Sequence, residues 1–320
     1  MSINPNWVID TAGGTVGGAA RFLRELDDYL AEDVSGHIST VGRGRYLTPR
    51  WIAEREWQCR TSPNRIAVNN VSFLAGTNRT VLLRNALHFA TSAEMESVNF
   101  APSAAFRAQI EVVRATARRA SRVVVPCTAM KERVLAYVPG VEDRIEVRFH
   151  PVTARELPQT PIPGRILAPM VPSPYKNLDQ HAQRLLRVLD RHGIDATLVF
   201  TATAEDLPRA AQDSRVELIG IISADQLETE WAKASAVYFP TVLESFGYPL
   251  AEARVRGRRI ISVDHAQSRE IAAQALAGYE SNSDDSLADA VQDALITHHE
   301  PDPMPFDRTA YFDWLTTDCN

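Results

Sequence analysis

At 320 residues the chain is long enough for two domains of about 150 residues each. Its 45% hydrophobic and 23% charged residues match an ordinary globular protein. No stretch reaches the roughly 18 uninterrupted apolar residues of a membrane span, and the N-terminal segment lacks the basic and apolar regions of a signal peptide. The expectation is a cytoplasmic chain that meets a membrane at most peripherally, on its inner face. Cys59, Cys127 and Cys319 are odd in number and widely spaced, which suits reduced thiols better than a disulfide framework or a zinc site.

The net charge of -6 conceals an asymmetry. Residues 1–155 hold 20 basic against 15 acidic side chains, and residues 156–320 hold 14 against 25. Basic residues cluster at Arg43, Arg45, Arg50, Arg55, Arg60 and Arg65, and again at Arg114, Arg118, Arg119 and Arg122. Such clusters attract phosphates, anionic lipid or nucleic acid, but they equally form solvated surface, and no aromatic interleaving accompanies them. Only Lys131, Lys176 and Lys233 break the preference for arginine, a bias that suggests a GC-rich bacterial or phage genome.

In chain order, Trp7–Asp10 reads as a strand, followed by a glycine loop and a helix over Ala19–Leu30 with Phe22, Leu23, Leu26 and Leu30 on one face. Strands are expected at Ile66–Phe73, Thr80–Arg84, Arg122–Pro126 and Ile145–Phe149, with helices at Phe106–Ala120 and Ala129–Val138. Four prolines and a glycine in residues 151–164 exclude both a helix interior and a central strand, which places the domain boundary there. Beyond it come strand Arg165–Ala168, helix Leu178–His192, and strands Thr197–Thr201 and Val216–Leu218. Helix Ala224–Ala234, strand Ala236–Phe239, helix Pro249–Arg256, strand Arg259–Val263 and helix Ser286–Leu295 complete the series. Alternating strands and helices predict parallel sheets, hence two doubly wound α/β domains over residues 1–155 and 156–302. Residues 303–320 form an aromatic tail helix able to cross back to the first domain. Ligands of such sheets bind at the carboxyl ends of strands, so the cleft between the domains is the expected site.

The strongest motif follows the strand Ala-Val-Tyr-Phe239. Pro240-Thr-Val-Leu leads into Glu244-Ser245-Phe246-Gly247-Tyr-Pro-Leu-Ala-Glu252. A strand, a glycine turn and a helix N-terminus present unpaired N–H groups to a pyrophosphate, and Gly247 permits close approach. Carboxylates two turns apart accept from sugar hydroxyls at different levels of one cleft wall. Upstream, Lys176 stands before Asn177, and Val216-Glu-Leu-Ile-Gly220 closes a strand on a glycine. This ordered set resembles the C-terminal half of retaining GT-B glycosyltransferases of the large group 1, family four type, in which an E-x7-E element is the most specific motif.

The resemblance implies a GT-B fold of two Rossmann-like domains facing a central cleft, and a nucleotide-sugar co-substrate of the UDP- or GDP-hexose type with no metal or other cofactor. Glu252 would bind the ribose hydroxyls, Glu244 the donor sugar, and Ser245, Phe246 and Gly247 would offer backbone amides. Lys176 would neutralise the leaving diphosphate, Gly220 would lie near the base, and His265 would face the donor. The family's arginine five or six residues before the lysine is replaced by Val171 and Met170. In the first half, Gly17 and Gly18 resemble the family's N-terminal glycine loop. Asn85 stands where many members carry an active-site histidine, and His88 follows three residues later as a further candidate. An anionic acceptor is compatible with the basic first half, and neither acceptor nor oligomeric state is legible. The alternatives are a non-catalytic nucleotide-sugar-binding protein and an epimerase or phosphorylase on the same fold.

Overall fold

A computed structural model describes residues 6–14, 16–33, 36–155 and 160–317. Cys319 lies outside them. The first domain comprises β1 (Trp7–Asp10), α1 (Gly17–Glu32), β2 (Ile38–Val41), α2 (Pro49–Gln58), β3 (Asn64–Ala67), β4 (Asn78–Leu82), α3 (Ser92–Ser97), α4 (Ala104–Ala117), β5 (Arg122–Val125), α5 (Thr128–Tyr137) and β6 (Ile145–Val147). The second comprises β7 (Arg165–Ala168), α6 (Leu178–His192), β8 (Thr197–Phe200), β9 (Val216–Leu218), α7 (Ala224–Lys233), β10 (Ala236–Phe239), α8 (Tyr248–Val255), β11 (Arg259–Val263), α9 (Ala266–Ala272), β12 (Leu276–Tyr279) and α10 (Asp284–Ile296). A final helix, α11 (Arg308–Leu315), closes the chain.

Each domain is a six-stranded parallel sheet, ordered β2-β1-β3-β4-β5-β6 and β12-β11-β10-β7-β8-β9. Helices cover both faces, so the central strands are near-continuous apolar runs: Arg-Val-Val-Val in β5 and Ala-Val-Tyr-Phe in β10 are buried at every position. The order of strands in the second sheet reverses at β7 and β10, the switch point beyond whose carboxyl ends a crevice is expected. This is the two-domain Rossmann-like architecture that the strand-helix alternation predicts.

The differences from the expected elements have local causes. The strand expected to run to Phe73 stops at Ala67, because Asn70 takes a left-handed φ of 72° and turns the chain while Val68, Val71 and Phe73 stay buried. Helix α2 is missing from the sequence reading because it lacks an apolar stripe: only Trp51 and Arg55 are buried. Its start signals are nonetheless present, with Thr48 accepting from the Trp51 amide and proline in the first turn. Strand β12 is also absent from that reading, since Gly278 interrupts its apolar run; a Cβ there would meet Asp264 at 3.0 Å.

The two domains are in direct contact. Most of the buried apolar side chains form one continuous cluster that includes Val8, Leu83 and Val125 from the first sheet and Phe246, Leu250 and Val263 from the second. A second cluster joins Trp7, Ile9, Phe22 and Leu26 to Tyr311, Phe312 and Leu315, so α11 returns to pack on α1 and the first sheet.

Candidate functional site

Strand β10 ends at Phe239 and the chain turns through Pro240–Gly247 before α8. Gly247 makes that turn with φ 79°, and a Cβ there would lie 3.0 Å from Leu250 and 3.2 Å from Phe239. An L side chain would therefore be strained in conformation and crowded by Leu250 and Phe239. Gln267 is buried and its amide donates to the carbonyls of Glu244 and Phe246 at 3.2 and 3.3 Å, which holds the loop from below. The Ser245 hydroxyl donates to the Arg84 carbonyl at 2.8 Å, and Cys127 Sγ donates to the Ser245 carbonyl at 3.3 Å. Burial pushes the Cys127 thiol up to about 12, so it remains a neutral donor.

After β7 a short turn, Pro174–Lys176, is followed by Asn177 in the left-handed region (φ 47°, ψ 41°), from which α6 departs. This turn carries Lys176 toward the β10 loop. Its Nζ lies 3.4 Å from Oε1 of Glu244, with 13% and 21% of the two side chains exposed. Residues 68 positions apart thus meet at the carboxyl ends of neighbouring strands. Beside them is a cavity of about 300 Å³, lined by Tyr175, Lys176, Asn177, Val242 and Leu243, with Ser97 and Val98 of the first domain opposite. Burial, with Glu244 nearby, pushes the Tyr175 hydroxyl up to about 12. The Lys176 ammonium on the wall of this cavity can hold a phosphate, and the Glu244 carboxylate beside it can accept from a sugar hydroxyl.

The other expected residues are placed differently. Glu252 projects from α8 toward the first domain and is 6% exposed; its Oε1 lies 3.2 Å from Nε of Arg21 on α1. Arg21 also faces Glu25 at 3.2 Å. Burial works against the Arg21 charge, but Glu252 and then Glu25 outweigh it and raise its pKa above the ordinary value. In this conformation the carboxylate expected at the ribose is therefore engaged by a cation of the opposite domain. Gly17 and Gly18 sit on the same seam. A Cβ on Gly18 would meet the Tyr248 ring at 2.9 Å, and one on Gly17 would lie 3.5 Å from Val171.

Asn85 accepts from the Leu87 amide at 3.0 Å and lies 3.4 Å from Nε2 of His88. His88 is enclosed in the first domain, 1% exposed and tilted against Phe106, and burial followed by the charge of Arg114 pushes it down to about 4. It is a packed neutral imidazole rather than an open cleft residue. His265 caps α9, its Nδ1 accepting from the Ser268 amide at 3.1 Å, and burial lowers its pKa. Gly220 follows the edge strand β9, two strands away from β7, with φ 67° and open space beside it. The structure joins Lys176 to Glu244 and the glycine loop to α8.

Among the described residues no group of three or more His, Cys, Asp or Glu is arranged to hold a metal ion, and no helix is long and apolar enough to cross a membrane. The first basic cluster is largely neutralised internally: Arg43, Arg45, Arg50, Arg55 and Arg65 each face a carboxylate. Sequence reasoning missed Arg21, Arg84 and Gln267. Only Arg84 carried a signal, as a charge closing the apolar run Val-Leu-Leu.

Residues 164–297 match the family of glycosyl transferases group 1. No curated protein is significantly similar in sequence. Similar solved structures include sucrose-phosphate synthase from Thermosynechococcus elongatus, with TM-score 0.65 and 14% identity over 95% of this chain and 91% of that one. WaaG, a glycosyltransferase involved in lipopolysaccharide biosynthesis, gives TM-score 0.63 and 12% identity over 96% and 93%. The Anabaena protein HepE, solved in complex with UDP and glucose, gives 0.58 and 14% over 97% of each chain. At these identities the likeness is one of fold, and the fold is GT-B.

Proposed function

We propose that the chain is a retaining glycosyltransferase that moves a hexose from a UDP- or GDP-hexose donor to a hydroxyl-bearing acceptor, without a metal ion. The observation that carries this reading is the pairing of Lys176 with Glu244 beside an interdomain cavity, in the segment that matches the glycosyl transferases group 1 family. Lys176 would take the charge that develops on the departing diphosphate, and Glu244 would accept from a hydroxyl of the transferred sugar. Neither group is a general base aimed at the acceptor. Transfer on the same face as departure suits them, because the leaving phosphate oxygen can then take the acceptor proton. Catalysis would come from fixed charge in a closed, water-poor cleft. Glu252 would accept from the ribose hydroxyls on the seam it shares with Arg21.

The test is donor turnover against a panel of UDP- and GDP-hexoses, with the product's anomeric configuration read by NMR. Retention of the donor configuration and an unchanged rate in EDTA are expected. Lys176→Ala and Glu244→Ala should each lower kcat/KM by about 100-fold or more, the loss typical of a fixed charge at a reacting centre. Wild-type turnover by Lys176→Ala would sink the assignment.

A further inference from the structure

We propose that a second cavity, walled by the interdomain linker and the segment entering α11, binds a small phosphate monoester with an apolar body, held through Arg258. This cavity measures about 680 Å³ and shares no lining residue with the one beside Lys176. Its walls come from the linker after β6, from α7, from the end of α8 and from the segment that leads into α11. Such a volume suits a small organic molecule and exceeds what an inorganic ion fills. Four arginines line it: Arg155, Arg256, Arg258 and Arg308. Two carboxylates line it as well, and both are occupied. Glu228 accepts from Arg256 at 2.7 and 2.8 Å, and Asp307 accepts from the Ala310 amide at 2.6 Å as the cap of α11. Arg155 faces Asp225, and Arg308 faces Asp28 and Glu32. Arg258 differs from the other three. It is half-buried, and among the described residues no carboxylate pairs with it and no acceptor meets its guanidinium. Burial, and then the charge of Arg256, lower its pKa.

A half-buried cation beside a second cation, with no carboxylate of its own, is costly to leave unmatched. An anion in the cavity that Arg258 lines relieves both the burial and the repulsion. The guest's charge follows from the arginines. The Arg155–Asp225 pair has 61% and 78% of its side chains exposed, so it is worth little and Arg155 can exchange it for a guest. A phosphoryl group, with a charge of about −1.5 to −2 at neutral pH and three acceptor oxygens, can engage more than one guanidinium. A carboxylate carries a single charge, and guanidinium forks pair with phosphate through two oxygens at a time. The rest of the guest follows from the other walls. Val152, Trp231, Val255, Pro301, Pro303 and Phe306 line the same cavity. Phosphate alone would leave that surface wet, whereas an apolar body covers it. None of these residues belongs to the Lys176–Glu244 site, so this binding is additional to glycosyl transfer.

The experiment titrates the full chain by calorimetry with phenyl phosphate and with inorganic phosphate, each alone and in the presence of UDP or GDP. It compares wild type, Arg258→Met and Met304→Glu. Met304 lines the cavity and is 80% exposed, so Met304→Glu adds a carboxylate without removing packing and stays informative if Arg258→Met folds poorly. Phenyl phosphate is expected to bind wild type more tightly than inorganic phosphate does, because its ring reaches the apolar wall. Arg258→Met should weaken it about tenfold or more, and Met304→Glu about threefold. The nucleotides should leave the affinity unchanged, since the two cavities have no residue in common. Three results overturn the site: no saturable binding of phenyl phosphate by wild type, wild-type-like binding by both variants, or displacement by UDP or GDP. Each of them leaves glycosyl transfer untouched, which the turnover of Lys176→Ala tests separately.

Discussion

Buried titratable side chains give this protein a specific acid response. His88 lies inside the first domain, where burial and Arg114 hold its pKa at about 4 against 6.5 in an exposed imidazole. A histidine with a lowered folded pKa favours the native state in its neutral form. Its contribution is whole above pH 6.5 and is lost as the pH falls toward 4, because the unfolded chain takes up a proton that the folded chain refuses. The amount is on the order of 3 kcal/mol. Urea midpoints are therefore expected to fall steadily between pH 6.5 and 4, and His88→Gln should flatten that slope. An unchanged slope in the variant would assign the acid response to other groups; His150, also held well below its ordinary value by burial, is the next in line. Asp10 shows the complementary case of a buried charge that is fully met. It accepts from Trp51, Arg55 and Asn69 side chains and from the Ala12 amide, and so anchors the loop that leads to the two glycines.

At the scale of elements, the seam between α1 and α8 depends on the absence of side chains. Helix propensity favours alanine over glycine by at most about 1 kcal/mol, and less in a first turn. At Gly18 a Cβ would intrude on the Tyr248 ring at 2.9 Å, and the ring is held by Phe246 and His150. Overpacking of this kind costs about 1–3 kcal/mol, so the clash outweighs the propensity gain. Gly18→Ala is expected to lower the thermal midpoint by about 2–4 °C per kcal/mol lost. A midpoint at or above wild type would show that α1 and α8 slide apart freely. The helices and strands themselves were largely legible because their signals are local. The limits of α6, β9, β10 and β11 agree with the sequence reading to the residue, α6 through its amphipathic period and the strands through short β-forming stretches between turns. α2 was not legible, since an Arg–Asp pair buries its inner face where an apolar stripe would normally stand.

For the whole molecule, the returning helix α11 ties the end of the chain to its beginning. Phe312 is fully buried, with ring centres 5.0 Å from Tyr29, 5.2 Å from Tyr311 and 5.6 Å from Phe22. Truncation of a buried phenylalanine costs about 3–5 kcal/mol. Phe312→Ala should lose that much in denaturant unfolding, and a loss under about 1 kcal/mol would mean that the first domain holds together without the tail. The sequence by itself determined the α/β class, the two Rossmann-like domains and the strand-turn-helix that carries Glu244 and Glu252, because apolar period, turn residues and motif spacing are properties of contiguous chain. Only the tertiary structure decided how those pieces face one another. It set Lys176 beside Glu244, turned Glu252 onto Arg21, enclosed His88 and, among the described residues, left Arg258 without a counter-ion. Each of these depends on which face of a helix or strand end meets a partner tens to hundreds of residues away, and local pattern carries no record of that rotation.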